Sequence, residues 1–454
     1  MAPDTIYALS TAPGRAGVAV VRISGDVSKK ALEAVFRPYS KKDLEPRVMY
    51  TGELVLDNEV RDECMAVYFK SPSSYTGEDS AELHLHGSPV AVAAAYEALS
   101  QVGLRLAEPG EFTKRAFLNG KLDLSRAEAV MDFISASGEL SAKAALRQMK
   151  GALSKEIALC SDNLLDISAE IEASIDFPEE DIEQQTLENV AARLRDVHNK
   201  LSHLISRAGM GEVLREGVKV VIAGRPNVGK SSLLNAILGR DRVIVTDIPG
   251  TTRDTLEECY VHKGLTIRFF DTAGIRRAQD EAEKLGIERA LESAAEADIT
   301  IFMLDGAKGI TDEDRQAYLE LSGGRNIIAV NKSDLEINVT DAEIKDAFSK
   351  TEAFLISAKL GQGVLALLDE IVAVFGREGV MSEDMISANR RQVLLLKAAL
   401  GSVSDAIAAA EQGREPDIVS IDVREARLSL GLITGEAADE DVINRIFERF
   451  CLGK

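Results

Sequence analysis

The segment GRPNVGKS, residues 224–231, limits the possible fold more than any other stretch. It obeys the pattern G-x-x-x-x-G-K-[ST], follows the apolar run VKVVIAG and leads into SLLNAIL. The run reads as a buried strand and SLLNAIL as a helix, which is the context in which this pattern holds a nucleotide phosphate. Glycines let backbone N–H groups curl around the phosphates, and the helix N-terminus faces them with free donors. Lys230 would reach the β- and γ-phosphates and Ser231 would ligate Mg²⁺, with Asn227, Val228, Gly229 and Ser232 filling out the loop. Such a unit needs a sheet around it. Four more apolar runs follow, IRFFDTAG, DITIFMLDG, NIIAVNKSD and AFLISAK, mostly with helical stretches between them. That alternation predicts a mostly parallel α/β sheet.

The ends of these runs carry chemistry. In DTAG (271–274), Asp271 can act on Mg²⁺ from behind its direct ligands, and the Gly274 N–H can sense the γ-phosphate, with Thr272 and Ala273 in the same turn. NKSD supplies Asn331, Lys332 and Asp334. The Asp334 carboxylate can accept the guanine N1–H and 2-amino group together; adenine offers no such donor pair, so the reading is GTP. SAK, with Ser357, Ala358 and Lys359, offers a backbone donor to the guanine O6. GTTRD (250–254) lies where a switch is expected, and its Thr252 can ligate Mg²⁺. The whole set resembles the GTPase superfamily, and implies a Ras-like P-loop G domain.

One part is missing. A Ras-like enzyme positions its attacking water with a Gln, whereas Ile275 follows DTAG here and no arginine finger is evident. The Asn227 amide oxygen can ligand a monovalent cation beside the β/γ-phosphates, where it would neutralise developing charge. Switch-loop carbonyls can complete the cage, as carbonyls replace water around K⁺ in channels. Equally, Asn227 can simply brace its loop. The acidic stretch DEAEKLGIERA can supply a carboxylate for the water, or its glutamates can be merely solvated. Spacing leaves both alternatives open.

The remainder bounds the organisation. A chain of 454 residues predicts two or three domains. Its formal charge of −21 argues against broad electrostatic binding of nucleic acid. Cys64, Cys160, Cys259 and Cys451 form no C-x-x-C pair, so neither a disulfide framework nor a zinc site is expected. The start MAPDTIYALS has no signal-peptide pattern. No apolar run reaches the ~18 residues of a membrane span. A cytoplasmic protein without a membrane partner is expected. Residues 1–118 read as mixed α/β, with strands at VAVVRISG and CMAVYFK and an alternating AELHLHG, in which Leu83 and Leu85 face one side and Glu82, His84 and His86 the other. A helix with an N-cap Ser and a closing Gly follows at SPVAVAAAYEALSQVG. Residues 119–214 read as helical, with Leu146, Met149, Leu153, Ile157, Cys160, Leu164, Ile167 and Ile171 on one long stripe, DFPEED ending it, and a further helix after that. The G domain spans 215–379, and 380–454 is helical again. The expected fold class is multidomain, α/β and α, with an α/β domain inserted into a helical one.

PGRAGVAVVRISG, SYTGEDSAELHLHG, PGEFTKRAFLNGKLDLSRAEAV, DFPEED, the phosphate loop with IVTDIPGTTRD, DTAGIR and the final FCLGK together resemble the MnmE (TrmE) family of bacterial tRNA-modification GTPases. The resemblance covers nearly the whole chain. It implies an N-terminal tetrahydrofolate-binding domain that dimerises, a helical domain and the inserted G domain. It implies a homodimer acting with the FAD protein MnmG on the wobble uridine of certain tRNAs. The one-carbon unit would come from 5,10-methylene- or 5-formyl-tetrahydrofolate, and GTP hydrolysis would be potassium-dependent. On the family's motifs, K⁺ ligands fall on Asn227 and Thr251 and on the carbonyls of Thr246 and Ile248, with Asp247, Pro249 and Gly250 beside them. The water-positioning glutamate falls on Glu283, and switch arginines on Arg253 and Arg276. The folate positions fall on Arg22, Glu82, Lys121 and Lys454. A pterin edge presents a donor pair that Glu82 can accept; the plainer alternative is a surface ion pair of Arg22 with Glu82.

The tail RFCLGK resists a prenyl box, because Gly453 and Lys454 do not fit one. Ile443, Ile446, Phe447 and Phe450 share a face, so pattern alone makes Cys451 a packed thiol. The resemblance instead makes it a catalytic nucleophile or proton donor, activated by Lys454. Two other functions compete: a ribosome-assembly GTPase switch, for which no basic GXXG-bearing module is found, and a folate-dependent transferase merely regulated by GTP.

Overall fold

A computed structural model describes residues 4–40, 43–176, 183–239, 258–270, 297–321, 325–349, 352–377 and 386–454. The chain divides into two compact units, one of residues 1–131, 157–187 and 408–454, the other of residues 132–156 and 188–407.

In the first unit the elements begin with β1 (Ile6–Leu9), β2 (Ala16–Ser24), α1 (Ser28–Val35), β3 (Phe36–Pro38), β4 (Met49–Leu56), β5 (Glu59–Phe69), β6 (Ser80–Gly87), α2 (Pro89–Gln101), β7 (Arg105–Leu106), α3 (Glu111–Leu118) and α4 (Leu124–Ser135). The strands form one seven-stranded sheet in the order β3-β4-β5-β6-β2-β1-β7. Alternation decides its faces. Leu83 and Leu85 are buried with Val21, Ile23 and Leu54 against Leu32, Val35, Ala95 and Leu99 of α1 and α2, while Glu82 and His84 point the other way. The Ser88 hydroxyl accepts from the Val90 N–H and caps α2 as the sequence predicts. On the opposite face Phe112 of α3 is fully buried with Ile6, Ala8 and Ala107.

The helical stretch departs from the expected single stripe. It breaks into α5 (Glu139–Met149) and α6 (Ala152–Asp176), with Gly151 at φ +85° between them. Leu153, Ile157, Cys160, Leu164, Ile167 and Ile171 are buried, but Leu146 is exposed. A left-handed glycine rotates the faces on either side, which a spacing of threes and fours cannot register. The α7 helix (Glu183–Glu216) follows, and residues 177–181 of DFPEED lie outside the described residues.

The second unit holds β8 (Val218–Ala223), α8 (Lys230–Leu238), β9 (Glu258–His262), β10 (Leu265–Phe269), β11 (Ile299–Asp305), α9 (Asp312–Glu320), β12 (Arg325–Asn331), α10 (Asp341–Phe348), β13 (Ala353–Leu355) and α11 (Val364–Arg377). Its sheet runs β13-β12-β11-β8-β10-β9. All neighbours are parallel except β9, which runs antiparallel to β10. Sequence reading misses β9 because it is a short edge strand, ECYVH, with mixed polarity and mostly partial burial. Helices α8 and α11 pack one face and α9 and α10 the other, so the central strands are apolar on both sides.

The chain closes with α12 (Arg390–Glu411), α13 (Pro416–Thr434) and α14 (Glu440–Phe447). Among the described residues only α12 is long and apolar enough to meet the length and composition of a membrane span; it carries Lys397 and Asp405, and Leu396, Ala399, Val403 and Ala406 are buried. Ile443, Phe447 and Phe450 pack with Leu124 and Ala127 of α4. A side chain at Gly110 would strike Phe447 and Phe450, so this glycine lets the C-terminus lie flat beside α3.

Candidate functional site

In the first unit, β2 and β6 set Arg22 opposite Glu82. The Arg22 guanidinium donates to Glu82 Oε1 at 3.1 and 3.0 Å, and His84 Nε2 meets Oε2 at 3.2 Å. The His84 hydrogen bond, reinforced by the Arg22 charge, holds the Glu82 carboxyl below the ordinary carboxylate range. Arg22 also lies over the rings of Tyr75, at 5.1 Å, and Phe112, at 5.9 Å. The ion pair weighed from sequence is therefore real. It is not a free surface pair, since its side chains are 18% and 17% exposed and form the wall of an open cavity of ≈ 630 Å³. Arg47, Phe69, Tyr75 and Lys121 line the same cavity.

The tail comes to this place from the far end of the chain. Ser10 Oγ donates to the Gly453 carbonyl at 3.1 Å, and the Gly110 N–H donates to the Cys451 carbonyl at 3.4 Å. Gly453 sits at φ +86° with no room for a Cβ beside the Leu9 carbonyl. Burial, and then the charge of Arg22, pull the Lys454 ammonium down from its ordinary value, while Cys451 and Glu82 act in the opposite sense. Lys454 thus stands within electrostatic reach of Arg22, Glu82 and Cys451. Of the four positions that the family resemblance implies for folate, Arg22, Glu82 and Lys121 line the cavity and Lys454 is in electrostatic reach of the first two, and Cys451 is half-buried rather than sealed in core; Cys160 is core, 2% exposed.

The second unit carries the phosphate loop between β8 and α8. Asn227 is exposed at φ +62°, and Gly224 and Gly229 also have positive φ. Gly229 caps α8, and a Cβ there would run into the Asn331 amide. Asn331, 3% exposed, ties three loops together. Its Nδ2 donates to the Val228 carbonyl at 2.7 Å and its Oδ1 accepts from the Ala358 N–H at 2.9 Å. Lys230 Nζ donates to the carbonyls of Gly224, 2.6 Å, and Arg225, 2.8 Å. Ser231 and Ser232 lie on the first turn of α8. Lys332 donates to Asp305 Oδ2 at 2.6 Å. Asp334 is exposed and accepts from the buried Ser357 hydroxyl at 2.6 Å, which lowers its pKa. Lys359 is exposed. Thr246, Asp247, Ile248, Pro249, Gly250, Thr251, Thr252, Arg253, Asp271, Thr272, Ala273, Gly274, Arg276 and Glu283 lie outside the described residues.

Sequence reading misses three groups here. Asp305 holds Lys332 as above, and Arg225 Nε donates at 2.6 Å to Asp314, which is fully buried. Arg225 stands at a free position of the phosphate-loop pattern, so nothing in its spacing marks it.

A doubly wound, mostly parallel sheet with a phosphate loop after β8, wired through one buried Asn to a carboxylate-bearing base loop, defines a P-loop guanine-nucleotide-binding enzyme. The profile described as "GTP-binding protein TrmE N-terminus" matches residues 5–121, and that of the "MnmE helical domain" matches residues 124–451. The chain is 40% identical over 455 residues to the tRNA modification GTPase MnmE of Clostridioides difficile, covering 99% of both chains. It is 41% identical over 464 residues to that of Carboxydothermus hydrogenoformans, covering 100% of both, and 40% identical over 463 residues to that of Natranaerobius thermophilus, again covering 100% of both. The chain belongs to the MnmE (TrmE) family of tRNA modification GTPases.

Proposed function

We propose that this chain hydrolyses GTP and couples hydrolysis to folate-dependent modification of the wobble uridine of tRNA. It acts as a cytoplasmic homodimer together with the FAD protein MnmG. Asp334 accepts the guanine donor pair. Lys230 leaves the Gly224 and Arg225 carbonyls for the β- and γ-phosphates, and Ser231 with Thr252 would hold Mg²⁺. The exposed Asn227 amide would hold K⁺ together with Thr246, Ile248 and Thr251, offsetting charge that no glutamine or arginine finger manages. Glu283 orients the water.

The folate reading rests on one observation above all: the tail returns 443 positions along the chain from Ser10 to Gly453, which brings Lys454 and Cys451 toward Arg22 and Glu82. The residues fit such a cofactor. Glu82 stays ionised and, with about four lone-pair sites, has capacity left beyond Arg22 and His84 for a pterin edge. Tyr75, 36% exposed, offers a ring face. When bound, the folate supplies the one-carbon unit. Arg22 orients Glu82, Lys121 and Lys454 attract the acid groups of the ligand, and Cys451 acts as nucleophile or proton donor beside the uridine.

Two measurements test this. GTP turnover in KCl is expected to exceed turnover in NaCl at equal ionic strength, and equal rates would remove the K⁺ role. Calorimetric titration with 5-formyl-tetrahydrofolate is expected to show one site that Glu82→Gln weakens by at least about tenfold; an unchanged affinity would remove Glu82 from the site.

A further inference from the structure

The chain has an excess of 21 negative charges, yet the cavity in the first unit is lined by three cations and one carboxylate: Arg22, Arg47, Lys121 and Glu82. Arg22 is committed to Glu82. Among the described residues, Arg47 Nη2 donates only to the Ser73 carbonyl, at 3.1 Å, and Lys121 Nζ only to the Pro72 carbonyl, at 2.9 Å. Among the described residues neither makes an ion pair. Two positive charges therefore converge on adjacent carbonyls of one loop without a counterion. The Arg47 backbone adds a second observation. It sits at φ +65°, a left-handed conformation that glycine adopts more easily. Its N–H is fixed to the Tyr68 carbonyl at 2.7 Å, and the neighbouring Pro46 bridges Tyr68. A guanidinium is thus held at the rim despite an unfavourable backbone. Four of its five N–H donors are uncommitted, in a planar fork suited to a carboxylate.

We infer that Arg47 and Lys121 form a clamp for the anionic tail of the ligand bound in this cavity. The inference rests on the folate reading above, and it assigns to Arg47 the glutamyl carboxylates of that ligand. The pterin end then faces Glu82 and the tail leaves past Pro72 and Ser73.

The test is equilibrium binding of tetrahydropteroate, tetrahydrofolate and its triglutamate to the full-length protein and to Arg47→Gly. Glycine suits φ +65°, so this variant relieves the backbone while removing the charge. The wild type is expected to bind the triglutamate roughly three- to tenfold more tightly than tetrahydropteroate, and Arg47→Gly to lose most of that gain. Equal affinity of the wild type for all three would overturn the clamp and leave the folate site standing. A gain preserved in Arg47→Gly would also overturn it. Binding of none of the three would overturn the folate reading and the clamp together. If tRNA affinity fell in Arg47→Gly while the glutamyl gain persisted, the cations would serve phosphates and the clamp would be wrong.

Discussion

Replacing Asn331 with alanine tests how the nucleotide loops are held together. The side chain is 3% exposed and makes two hydrogen bonds, to the Val228 carbonyl at 2.7 Å and from the Ala358 N–H at 2.9 Å. Both partner residues are buried, at 2% and 5% exposure, so water does not readily replace the lost amide. An unpaired buried backbone group costs about 1–3 kcal/mol. Two such groups, with some relaxation of the loops, predict a loss of roughly 2–4 kcal/mol. Part appears as a lower urea midpoint, and part as nucleotide affinity, because one loop cradles phosphate and the other the base. If about 2 kcal/mol falls on binding, Kd for GDP rises about 30-fold. Titration with a fluorescent GDP and urea unfolding of the same samples separate the two shares. Asn331→Asp is expected to fare no better, since it sets a carboxylate against the Val228 carbonyl. A Kd within twofold of wild type, together with an unchanged urea midpoint, would refute the idea that Asn331 joins the loops.

Gly453→Ala forces a Cβ against the Leu9 carbonyl at a left-handed φ, so the tail should lift off the first unit; folate affinity is expected to fall at least about tenfold with GTP turnover unchanged, and normal folate affinity would show that the tail is dispensable. Asp4 is held at about 2, down from 3.8, chiefly by its hydrogen bond to Arg105 and then by Arg115. Its folded-state pKa is depressed, so its contribution to stability is complete above 3.8 and is lost as pH falls through about 2. Asp4→Asn should flatten the acid limb of a pH–stability curve in that window, and an unchanged limb would count against the pairing.

The nucleotide half of this protein is legible in the sequence because its chemistry is local. GRPNVGKS, NKSD and SAK each place their donors and acceptors within one turn, and the apolar runs ahead of the first two are largely buried strands, β8 and β12. Cys160, on a buried helical face, is read correctly for the same reason. Tertiary structure decides what short-range pattern leaves undetermined. The hinge at Gly151 turns one apparent stripe into two helices, and ECYVH becomes a strand only through its pairing with β10. Asn331 is recognisable as a base-loop residue, but only packing shows that it also carries the Val228 carbonyl. The cavity is the strongest case. Arg22 and Glu82 are 60 positions apart and meet through strand register. Lys454 joins them because Phe447 and Phe450 are buried against α4 and Gly110 leaves space for the returning chain. Backbone geometry over a few residues is written into adjacent side chains, whereas a site drawn from both ends of the chain exists only once burial of apolar surface has fixed where those ends lie.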